Sequence, residues 1–89
     1  ANLSGANLSG ATLAGANLEA AVLTEANLEE AVLTGANLEE ADFTRAVLNG
    51  AHLGFTILSG TNFEEAKANR NTIWPKRFDP VTAGVVPKP

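Results

Sequence analysis

Cysteine and methionine are missing from the 89 residues, and histidine and tryptophan occur once each. Without cysteine there are no disulfides, thiolate nucleophiles or cysteine metal sites, and the redox compartment is not written in the chain. His52 alone does not assemble a zinc set. Aromatic residues make up 6% and charged residues 18%, so a conventional core of large side chains is undersupplied. No apolar run approaches the roughly 18 to 20 residues that span a bilayer, and no basic segment followed by an apolar one opens the chain. Neither a membrane segment nor a cofactor is expected in this stretch. What is abundant is alanine and leucine, giving 45% apolar residues at a net charge of −4. That balance argues against disorder.

The alanines and leucines keep a strict period of five. Read from Ala1, residues 1–70 divide into fourteen units beginning ANLSG, ANLSG, ATLAG, ANLEA, AVLTE. The first position is alanine except at Thr56 and Thr61. The third is leucine except at Phe43, Phe63 and Ala68. Ala1 already stands in phase, which leads us to expect a piece of a longer protein.

Period five suits neither an α-helix, around which the leucines would be scattered, nor a strand, on which they would alternate between faces. The chain must turn a corner every five residues. A short extended step followed by a tight turn makes each unit one side of a square, and four sides close a coil. Successive coils then pair as strands do, at about 4.7 to 4.9 Å, and bury their leucines against one another. Glycine recurs at the fifth position, from Gly5 to Gly60, as a turn requiring positive φ would demand.

The A-(N/D/V/T)-(L/F)-x-x pattern resembles the pentapeptide repeat proteins. The ending Thr72-Ile73-Trp74-Pro75-Lys76-Arg77-Phe78-Asp79-Pro80 is similar to the T-x-(W/F)-P-x-x-F-D-P tail of cyanobacterial members. This resemblance implies an all-β fold, a right-handed quadrilateral parallel β-helix. We expect about 3.5 coils over residues 1–70 and a nonrepetitive cap over residues 71–89, with Ile73, Trp74, Pro75 and Phe78 as its apolar anchors. Stacking by twenties predicts a core column of four ladders. Leu3, Leu23, Phe43 and Phe63 form one, Leu8, Leu28 and Leu48 the second, ending on Ala68. Leu13, Leu33 and Leu53 form the third, with Ile73 next in phase, and Leu18, Leu38 and Leu58 the fourth.

Catalysis is not expected. His52 lies at an outward second position with no carboxylate or nucleophile arranged around it, and a general base needs both a partner and a pocket. The pairs Glu29-Glu30, Glu39-Glu40 and Glu64-Glu65 lack the cleft that a glycosidase pair requires. Charge is more informative. Residues 1–70 hold nine acids and three bases, a net of −6, whereas residues 71–89 carry a net of +2. Glu19, Glu29, Glu30, Glu39 and Glu40 form a candidate acidic surface. Glu25, Arg45 and Glu65 fall on one ladder of alternating sign, worth a few tenths of a kcal/mol per exposed contact.

Apolar residues also occur where no interior awaits them. Val22, Val32, Val47 and Ile57 stand at second positions that the pattern usually gives to Asn or Asp, and Phe55 at an outward fifth position. Val32, Val47, His52, Phe55 and Ile57 form a candidate interaction surface, open to a protein partner or a second copy unless the tail folds back over it. The function expected is a rigid rod presenting a protein-binding surface. Two alternatives stand beside it. The resemblance implies one, because some pentapeptide repeat proteins mimic duplex DNA and bind DNA gyrase; the other is a passive spacer or an appendage of a membrane protein. Direct nucleic-acid binding is not expected, since there is neither a basic stripe nor a ladder of aromatics.

Overall fold

A computed structural model describes residues 2–88. Each second-position residue pairs in parallel with the one twenty positions on, from Asn2 with Val22 to Val47 with Lys67. Four corners fall within each twenty-residue turn, so the chain winds as a right-handed square coil. Side 1 comprises residues 2–5, 21–25, 41–45 and 61–65. Side 2 comprises 6–10, 26–30, 46–50 and 66–70; side 3 begins with 11–15, 31–35 and 51–55, and side 4 comprises 16–20, 36–40 and 56–60.

Three backbone bonds tie each interior side to the next coil, one of them from the fifth-position amide, as from Glu40 to the Ser59 carbonyl at 2.9 Å. The third-position amide donates forward, as from Leu33 to the His52 carbonyl at 2.8 Å, and the second-position amide donates back, as from Val32 to the Ala11 carbonyl at 2.8 Å. At the corners, every fifth position from Gly5 to Glu65 has φ near +60° to +75°, including Ala20, Glu25, Glu30, Glu40, Arg45, Phe55 and Glu65. Asn or Asp at the second position steadies the turn by accepting the fourth-position amide, as Asn27 Oδ1 does from Glu29 at 3.0 Å. This is the local side-chain turn that those residues favour.

The column is fully buried from Leu23 through Leu53, with alanines between the leucines, and again at Phe63. Leu3, Leu8, Leu13, Leu18 and Leu58 are only partly buried, the first four because the first coil has a neighbour on one side only. Phe43 and Phe63 stack one coil apart at 5.3 Å between centroids.

The ending departs from the expected phase. Asn71 is one residue too many for the repeat, so His52 pairs with Ile73 rather than with Thr72. Thr72 takes the inward first position, buried, and its hydroxyl donates to the Leu48 carbonyl at 2.8 Å. Ile73 therefore joins neither the core column nor the buried part of the cap: it lies outside, 48% exposed. Trp74 follows it beneath the column and packs edge-on to Phe63 at 5.3 Å. Phe78 contacts both rings, at 5.5 and 5.0 Å. Asp79 then caps a turn, accepting from the Val81 amide and the Thr82 hydroxyl. The chain returns to the coil as β2 (Val86–Lys88), parallel to β1 (Lys67–Asn69).

Candidate interaction corner

The tail roofs the end of the column and leaves the outer corner between sides 3 and 4 uncovered. Above Phe55 the corner residues are Gly15 and Gly35. Phe55 has φ +60° and is 86% exposed. A bulky residue in the left-handed region costs roughly 1 to 2 kcal/mol, and here no burial offsets it. Ile57 on side 4 is 50% exposed, and Ile73 lies on side 3. Beside Phe55, the residues Gly54, Phe55, Ile73, Trp74, Pro75 and Lys76 line a largely apolar groove of about 380 Å³.

The five residues read from the sequence as one surface are thus distributed. Phe55 stands at this corner and Ile57 on the side that follows it. His52 is exposed on side 3 directly above Ile73, with Val32, partly buried, one coil further up. Val47 lies apart on side 2, partly buried, between Asn27 and Lys67. Ile73 and Trp74 extend the surface instead. Their part was hidden by the extra Asn71, although Thr72-Ile73-Trp74 already reads as the start of another unit once the phase slips by one. Thr72 and Asn69, which rebuild the ladder at the slip by accepting from the Gly50 amide at 3.1 and 3.0 Å, carried no other signal.

The acids do not gather on one face. Glu29 and Glu30 lead into the corner between sides 2 and 3. Glu19, Glu39 and Glu40 lie at the diagonally opposite corner, between sides 4 and 1. The ladder of alternating sign yields one ion pair among the described residues, Arg45 Nε to Glu25 Oε2 at 3.1 Å, exposed on both sides. Asp42 has a pKa below the usual carboxylate value, chiefly because the Thr44 hydroxyl and amide donate to it. Among the described residues no three His, Asp or Glu side chains converge as a metal site, and no helix is long and apolar enough to cross a membrane.

A second hollow, of about 220 Å³, opens at the C-terminal end where Ala68 replaces a leucine, with Trp74, Val81 and Val85 among its walls. Its lining is mostly apolar, with Asn69 and Arg70 as its polar members, and holds no cluster of reactive groups.

Comparison with known proteins agrees with this geometry. A profile of pentapeptide repeats, in eight copies, matches residues 1–39 and 26–64. No curated protein matches in sequence. Among solved structures, alr5209, a pentapeptide repeat protein from Nostoc Pcc 7120, is 35% identical with a TM-score of 0.60, over 99% of this chain and 81% of that one. Rfr23, a pentapeptide repeat protein from the cyanobacterium Cyanothece 51142, is 35% identical with a TM-score of 0.73, over 82% of this chain and 53% of that one. HetL, a pentapeptide repeat protein involved in heterocyst differentiation regulation in Nostoc sp. strain PCC 7120, is 33% identical with a TM-score of 0.56, over 80% of this chain and 38% of that one. On the repeat, the coil and these likenesses, the chain belongs to the pentapeptide repeat family.

Proposed function

We propose that this chain is a non-enzymatic interaction module, a rigid β-helical rod whose corner at Phe55, Ile57 and Ile73 seats a partner protein. The observation that carries the reading is Phe55. It places a large apolar ring in solvent at a backbone position where glycine is the unstrained choice, next to two further exposed apolar side chains and a groove. Exposed apolar surface gathered in one place marks association sites more often than scattered residues do, and aromatic anchors dominate binding energy. The family's structural role and HetL's involvement in regulation support a binding rather than a catalytic part. The acids, divided between diagonal corners, give less support to mimicry of DNA.

The test is photo-crosslinking in a cyanobacterial lysate, with benzoylphenylalanine at position 55 and, as control, at position 25. A protein adduct formed from position 55 alone supports the reading. Adducts equal at both positions, or absent from both, contradict it.

A further inference from the structure

The last coil is covered on three sides and open on the fourth. Beneath side 3, Leu53 donates to the Ile73 carbonyl at 2.7 Å; beneath side 1, Glu65 donates to the Gly84 carbonyl at 2.9 Å; beneath side 2 lies β2. Residues 56–60 have no such neighbour. The amides of Leu58 and Gly60 and the carbonyl of Thr56 have no backbone partner among the described residues. One coil above, the equivalent groups are all paired: Leu38 to Ile57 at 3.0 Å, Glu40 to Ser59 at 2.9 Å, and the Ala36 carbonyl with the Ile57 amide at 3.1 Å. Burial shows the same pattern, since Leu38 is fully buried and Leu58 is not. Elsewhere on the last coil the amides of Phe55 and Phe63 and the carbonyl of Thr61 also lack a backbone partner among the described residues, but sides 1 and 3 each keep at least one bond to the tail, and the Phe63 ring is roofed by Trp74 and Phe78.

An open parallel edge is a template for strand addition. We propose that residues 56–60 accept an extended strand of a partner protein, laid parallel beneath them as the missing side of the coil. This rests on the interaction-module reading and names its mode. The register is set by the coil above. One residue of the incoming strand donates its amide to Thr56 and accepts from Leu58, with its side chain outward beside Ile57 and the Phe55 corner. The next turns its side chain inward beneath Leu58, and a carbonyl two residues after the first accepts from Gly60. Both side chains are therefore apolar. Charge selects the residues that precede them. The strand starts beside Lys76 and Arg77, exposed cations that make no ion pair among the described residues, so an acidic residue at its N-terminal end is favoured.

The probe is an acetylated peptide, Glu-Ala-Val-Leu-Thr-Gly, titrated into the 15N-labelled chain and followed by NMR. Saturable shifts are expected at the Leu58 and Gly60 amides. Methylating the valine nitrogen removes the bond to Thr56 and weakens binding at least about fivefold. Replacing the peptide's glutamate by lysine, or the chain's Lys76→Glu with Arg77→Glu, weakens it as well. Binding indifferent to N-methylation, shifts away from residues 55–60, or no saturation by roughly 1 mM, an affinity near −4 kcal/mol, overturns the proposal. A protein crosslinked from position 55 while the peptide fails to bind defeats strand addition and leaves the interaction reading standing. Failure of both defeats both.

Discussion

At the scale of single residues, the corners show how little a five-residue unit tolerates. Positive φ is required at every corner, yet Ala20, three glutamates, Arg45 and Phe55 occupy corners before the last coil closes at Glu65. Long polar side chains bear that cost with their heads in solvent, but Phe55 does not. Phe55→Gly is expected to raise stability by about 1 kcal/mol, measured by chemical denaturation, and to abolish partner binding at the corner. A destabilised variant would show that the ring contributes to the fold. Asp42 offers a second check. Hydrogen bonds from Thr44 stabilise its charged form, so its folded pKa lies below the unfolded value of about 3.9. The stability it contributes is present above that value and is lost as pH falls through the folded pKa. Thr44→Val should raise the Asp42 pKa toward the ordinary carboxylate range in an NMR titration. An unchanged value would mean that the Thr44 hydroxyl is not the cause.

At the scale of elements, the sides are legible in the sequence because each repeats the same inward pair, and a slip of phase displaces only the residues C-terminal to it. That slip occurs at Asn71. Counting strictly by fives puts Ile73 in line with Leu53, whereas threonine, already twice a first-position residue at Thr56 and Thr61, marks Thr72 as the true start of the next side. The slip is local in sequence but decides which of two large side chains packs beneath the column. The corrected phase accounts for the aromatic plug. Trp74→Ala removes the edge contact to Phe63 and the packing beneath the column, and a loss of about 2 to 3 kcal/mol is expected, below the roughly 3 to 5 of a fully buried tryptophan. Deleting residues 71–89 should expose sides 1 to 3 of the last coil as well and promote self-association, read by analytical ultracentrifugation. A monomeric, equally stable rod would show that the tail does not cap the coil.

At the scale of the whole molecule, extents of 30 × 25 × 20 Å enclose a solid column, and the outer surface is where a ligand must meet it. Leu33→Ala, at the centre of that column, is expected to cost about 2 to 5 kcal/mol, and Leu3→Ala less, because Leu3 is only partly buried. A cost at Leu3 equal to that at Leu33 would mean that the first coil is covered as fully as the rest. The outer apolar positions were legible as exceptions to the Asn/Asp pattern, but which of them meet was not. Val47 and Phe55 are separated by corners that only the closed square defines, and the open side appears only when backbone partners are traced coil by coil. Residue-resolved amide hydrogen exchange on the chain alone tests this most directly. The amides of Leu33, Leu38 and Leu53 are expected to exchange slowly, and those of Leu58 and Gly60 orders of magnitude faster. Protection at Leu58 equal to that at Leu53 would show side 4 to be covered, and would contradict both the free corner and the binding role assigned to it.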